Sequence, residues 1–295
     1  MSGNRWYWYD GELESFSTAV SPVVSRNLLL IAGVFVLFAS VLYWQWARVE
    51  RSDLHTLTET GSCAGCNLSG VNLSGLNLEG ADLRKADLSN AKLSSTRLVR
   101  ADLWQVNLNG ATLDSVDLTG ANLRGVDLCV RNLSKAILAD ANLEGANLHN
   151  ADLKAADLSN ASLNGSNLSW ARLVDADLTN VNLSSAILFS SDLSGSMVER
   201  NALDQAFVCH TIMPDGVLSN CDLSNSDLTG LYLYKADLHG ANLEHADLSD
   251  VYLSRADFTD ANLRAANLAG SLLKDAIFCN TTMPDGSMNN SGCTQ

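Results

Sequence analysis

The sequence predicts an all-β solenoid preceded by a single transmembrane α-helix. Three observations carry this expectation. Every fifth residue from Leu68 to Leu193 is leucine without exception. The same frame starts at Cys63 and runs without insertion to Cys293, through substitutes such as Val198, Met213, Phe258, Phe278 and Met283. Ahead of it, Leu28 to Trp46 is apolar apart from Ser40 and Gln45.

Taken in order, residues 1–27 read as a polar tail with one aromatic cluster, Trp6 to Tyr9. Residues 28–46 span roughly 28 Å as a helix, about one bilayer core. Tyr43, Trp44 and Trp46 stand at its far end, where an aromatic belt belongs. A cleaved signal peptide fits less well, because a long tail with acidic residues precedes the run and Trp44-Gln45-Trp46-Ala47 is a poor cleavage site. A single-pass membrane protein is expected. Residues 47–62 form a linker and helical cap: Val49, Leu54 and Leu57 share a helical face and Gly61 is a stop. A solenoid needs such a cap, since its ends expose apolar core and unpaired backbone.

Residues 63–295 are the repeat domain. A period of five suits neither regular element. Steps of five on a helix spiral around every face, and an odd step on a strand alternates sides. A chain that keeps all these leucines inside must turn a corner at each repeat. Asn, Asp, Ser and Gly crowd the flanking positions, and these residues accept turns and left-handed conformations. Alanine two residues before the leucine supplies a second inward position. Each buried leucine contributes about 2 kcal/mol before ordering entropy is subtracted.

A-D-L-x-x, read twice in Ala81 to Asn90, resembles the repeat of the pentapeptide-repeat proteins. The resemblance implies a right-handed quadrilateral β-helix with four repeats per coil. Roughly twelve coils at ~4.8 Å each would give a rod of about 55 Å. Arg131 occupies an inward alanine position, so a local distortion is expected there. Trp104 and Trp170 are isolated outward aromatics that need no explanation.

Net charge is −14, and residues 1–51 balance four acids with four arginines, so the whole excess belongs to the repeat domain. Direct nucleic-acid binding is therefore not expected, since such binders are basic. The five histidines are scattered, and neither a catalytic set nor a cofactor or metal site is expected. Function must come from residues that break the repeat. Tyr232, Tyr252 and Leu272, with Ile212 below them, form an outward column at twenty-residue spacing, flanked by Tyr234. Ile187, Phe189 and Phe207 form a smaller outward apolar group. Either a neighbouring segment shields these residues or they are a partner-binding patch.

The motif Met213-Pro214-Asp215-Gly216 recurs as Met283-Pro284-Asp285-Gly286. Pro-Asp-Gly favours a turn, so two loops leaving the wall are expected. Cysteines flank both, which points to disulfides Cys209–Cys221 and Cys279–Cys293. Cys63-Ala64-Gly65-Cys66 admits a redox dithiol, half a zinc site or a disulfide bracing the first coil, and the last is plainest. Cys129 is left over. Three cysteine pairs favour an oxidising compartment, hence an extracytoplasmic repeat domain, against the weak opposing bias of Arg48 and Arg51 over Arg26.

The leading expectation is a non-enzymatic, membrane-tethered scaffold for an unknown protein partner. A second is an acidic DNA mimic, because the resemblance includes proteins that occupy the DNA site of a topoisomerase. A remote third is a thiol oxidoreductase using Cys63 and Cys66.

Overall fold

One pentapeptide explains the wall. In Ala81 to Lys85, Ala81 and Leu83 are buried and Asp82 between them points outward. The Asp82 N–H donates to Gly61 O at 2.9 Å, and the Leu83 N–H donates to Asp102 O at 2.9 Å. The chain thus bonds the coil below and the coil above through adjacent residues. Lys85 then takes a φ of 59°, and the Ala86 N–H closes the turn on Leu83 O at 3.1 Å. This left-handed corner recurs at every fifth position from Gly65 to Gly195 and again from Asn225 to Asn280, which is why Gly, Asn, Asp and Ser collect there. The Asp82 Oδ1 accepts the Arg84 N–H, and the same bond recurs up the column. The outward Asn and Asp residues are therefore corner-builders first.

The computed structural model describes residues 53–293. Parallel bridges join residues twenty apart, such as Asp82–Asp102 and Asn122–Asn142, so one coil is four pentapeptides. The ladder lapses at Asn107–Asp127 and Thr112–Asn132, beside Arg131, whose Nε turns to the Cys129 carbonyl at 3.1 Å. At the start, helix α1 (53–60) buries Leu57 over the first coil. Gly61, at φ 67°, ends α1 with its N–H on Leu57 O.

The repeat frame is unbroken, but the stack is not. It rises from Ser62 to the coil carrying Phe207 and Ile212, with helix α2 (Arg200–Leu203) inserted in its last turn. There Ile212 bonds downward to Asp192, but on its other side it pairs antiparallel with Leu218. A hairpin through Pro214-Asp215-Gly216 occupies the free edge of the coil. A new ladder begins at Asp222, which bridges only to Asn242. This second stack ends the same way: β1 (Thr281–Thr282) bonds below to Asn262 and pairs antiparallel with β2 (Met288–Asn289). The core divides accordingly, one cluster running from Leu57 to Leu203 and the other holding Cys221 to Ala266 together with Ile187 and Phe189.

Three expectations change. The single rod is two stacks of roughly 36 and 17 Å, taking ~4.8 Å per coil. The Pro-Asp-Gly segments do not leave the wall; they fold back along it and terminate a stack. The expected membrane localisation is corrected as well: among the described residues no helix is long and apolar enough to cross a membrane. The tail at 1–27, the run at 28–46 and Val49 lie outside the described residues, and the extracytoplasmic placement, argued from the three cysteine pairs, is set aside with that localisation.

Candidate functional site: an aromatic cleft between the two stacks

The first coil of the second stack rests on the side wall of the first. Leu223, Leu228, Leu233 and Leu238 would expose their lower faces there, yet all four are buried, in one cluster with Ile187 and Phe189. Ile187 and Phe189 flank Leu188 on the outward side, and both are buried, while Phe207 is partly covered. The smaller apolar group is thus an internal seat for the second stack. It replaces the capping helix that the first stack has at α1.

Beside this seat opens a cleft of about 630 Å³. From the first stack it is lined by Cys129, His149, Ser169 and Phe189, a single column at twenty-residue spacing, together with Trp170. From the second stack come Tyr232, Tyr234 and Lys235. Tyr232 and Tyr252 stack face to face, with centroids 4.8 Å apart and planes within 5°. Tyr234 tilts against both rings at 6.2 and 5.9 Å. Tyr232 is 60% exposed, and Leu272 continues its ladder at 55%. Ile212 is not part of this column, because its ladder belongs to the first stack.

Trp170 sits at a corner with φ 63° and is 47% exposed. That left-handed φ is the wall's ordinary corner geometry, shared by Val130 and Arg255, though a bulky residue there is costly. Lys235 holds its ammonium 5.4 Å over the Tyr234 ring. Burial lowers the His149 pKa and raises that of the Cys129 thiol, with nearby Asp127 adding to the latter. Burial, and then the neighbouring phenols, raise that of Tyr232. The thiol is therefore held away from the nucleophilic thiolate. Among the described residues, no hydrogen bond joins it to His149.

The cysteines close as Cys63–Cys66, Cys209–Cys221 and Cys279–Cys293, leaving Cys129 free. Cys63 lies buried in the first coil and no helix starts at it, so the setting that activates a redox dithiol is missing. Pro214 and Pro284 accept equivalent bonds from Gly195 and Ala265. Asp215 and Asp285 each accept the N–H two residues on, and Gly216 and Gly286 take φ near 80°. Cys209–Cys221 therefore straps the end of one stack to the start of the next. The histidines are less scattered than their spacing implied, since His210 and His239 meet at 5.3 Å beside Asp237. The role of Cys129 and His149 in the cleft was legible in principle. They share the column of Phe189, but only the fold-back of the second stack makes that column a wall.

A family model described as pentapeptide repeats, in eight copies, matches residues 62–98, 96–129, 132–165, 166–200, 217–255 and 256–291. Its gap at 201–216 coincides with the break between stacks. No curated protein matches. Among solved structures, the chain is similar to HetL, a pentapeptide repeat protein involved in heterocyst differentiation regulation from the cyanobacterium Nostoc sp. strain PCC 7120. They are 31% identical over 80% of this chain and 96% of that one, with a TM-score of 0.29. Rfr23 from the cyanobacterium Cyanothece 51142 is 31% identical over 44% of this chain and 92% of that one, TM-score 0.19. QnrB1, a plasmid-mediated fluoroquinolone resistance protein, is 20% identical over 71% and 92%, TM-score 0.20.

Proposed function

The chain belongs to the pentapeptide-repeat family, and we propose that it is a non-enzymatic scaffold that binds a protein partner in the cleft between its two stacks. One observation carries this reading. Tyr232, stacked on Tyr252, faces the corner residue Trp170 from the opposite wall of one cleft. Large, rigid aromatics with few rotamers are the side chains that dominate protein–protein contacts. The two stacks hold them on rigid backbone, so little ordering cost accompanies binding. Lys235 gives the rim one cation, and aromatic and aliphatic side chains share the floor with Asn147, Asn167 and Ser169. A partner segment with apolar side chains fits that surface.

Photo-crosslinking tests it. A photoreactive amino acid replaces Lys235 in the full chain, and its adducts are resolved by mass in the native cell. One discrete adduct is expected, strongly reduced by Tyr232→Ser with Tyr252→Ser and absent when the probe replaces Asn77. No adduct, or one indifferent to the tyrosines, removes the cleft from the argument.

The acidic DNA mimic has less to support it. The long rod is interrupted, and its outward aspartates are tied to corner amides and to asparagine ladders such as Asn107–Asp87 and Asn242–Asp222.

A further inference from the structure

We infer that His210, Asp237 and His239 form a binding site for a first-row divalent cation of the Zn²⁺ class, bridging the two stacks. One ligand atom from each residue lies within 4.8 Å of the other two. The His210 Nδ1 and the Asp237 Oδ2 are 3.4 Å apart. Tetrahedral donors about 2.0–2.1 Å from a zinc ion stand roughly 3.4 Å from each other. The pair is already spaced for the metal, and a ring nitrogen of His239 lies within 4.8 Å of both.

The donor set selects the cation. Two imidazoles and one carboxylate suit Zn²⁺, Ni²⁺ or Cu²⁺ and not Ca²⁺ or Mg²⁺, which take all-oxygen shells. Orientation is built in. The second oxygen of Asp237 accepts the backbone N–H of His239 at 3.2 Å, which turns Oδ2 toward His210. Such outer bonds fix ligating groups. His210 and Asp237 are half-buried and His239 is exposed, so the site is sheltered but open to entry. Three protein donors leave a fourth position for water.

Placement sets the consequence. His210 belongs to the last coil of the first stack, beside Cys209, and Asp237 and His239 belong to the first coil of the second. A bound ion would cross-link the same joint that Cys209–Cys221 closes. Without metal, the three residues amount to a surface His–Asp contact of small value.

The probe is ZnCl₂ alone, titrated calorimetrically into the full chain in non-reducing buffer with Cys129 alkylated. One ion per chain is expected. His239→Ala and Asp237→Asn should each weaken binding at least ~10-fold, as loss of a ligand does. His245→Ala, an exposed histidine on another face, should leave it unchanged. Far-UV circular dichroism and an intact Cys209–Cys221 bond show that each variant is folded. Absence of binding at 100-fold excess Zn²⁺, or equal affinity in His239→Ala, Asp237→Asn and the unaltered chain, overturns the site.

Discussion

Thr211 and Thr281 make the same bond in different stacks. The Thr211 hydroxyl donates to Leu188 O at 2.5 Å, and that of Thr281 donates to Phe258 O at 2.7 Å, each twenty-three residues back. Both threonines are fully buried. Each opens the hairpin that ends its stack, where Met213 N–H bonds to Val217 O and Met283 N–H to Ser287 O. The chain thus carries two copies of one terminator. The first lies mid-chain because a second solenoid follows it.

Thr211→Val and Thr281→Val keep the shape and remove the hydroxyl. Each should cost about 1 kcal/mol in urea unfolding, the usual worth of one buried hydrogen bond. The effects should add in the double variant, since the two caps share no partner. A larger sum would mean that the caps unfold as one unit.

Phe189→Ala should undo the seat of the second stack. Truncating a buried phenylalanine costs about 3–5 kcal/mol. Solenoid stability is a sum of repeats and neighbour interfaces, so the loss falls on the second stack. The expected signature is an early melting transition for that stack and protease cleavage between residues 204 and 220. An unsplit transition would show that the stacks do not depend on this contact.

Trp170→Asn should separate stability from binding. Asn accepts the φ of 63° that Trp170 holds at strain, and relief is worth about 1 kcal/mol. Thermal stability should rise while the Lys235 crosslink weakens. A fall in stability would show that Trp170 packs more than it strains.

Acid should weaken the domain through its corner aspartates. The Ser249 hydroxyl, and then its backbone N–H, holds Asp247 below the usual carboxylate range; Ser287 does the same for Asp285. With the folded pKa below the unfolded value of about 4, the unfolded chain binds more protons on the acid side. Stability from these groups is complete above that value and is lost as pH falls through the depressed one. The urea midpoint should drop on going from about pH 5 to pH 3. Ser249→Ala and Ser287→Ala should flatten that drop.

The wall and its core were legible in the sequence because their causes are local. Leu83 turns inward, Asp82 outward and Lys85 around the corner within five residues, and each unit repeats the arrangement. The cysteine pairs could be proposed from spacing alone, since each closes a short loop. The cleft was only half legible. Tyr232, Tyr252 and Leu272 broke the rule visibly, whereas Cys129, His149 and Trp170 looked like single exceptions.

The sequence by itself determined that the repeats between 63 and 293 turn corners with leucine inside, and the resemblance to pentapeptide-repeat proteins implied four repeats per coil. It could not determine what each coil rests on. The frame runs through residues 193–223 without a slip, yet Leu218 sits in it and is exposed in the hairpin, so the frame alone does not mark the break. Stacking depends on whether the coil below still offers a free backbone edge. At Ile212 the hairpin through Pro214-Asp215-Gly216 takes that edge, and the next coil must cover its leucines elsewhere. It finds Ile187 and Phe189 on the side wall. That one choice brings Tyr232 opposite Trp170, and His210 beside Asp237 and His239.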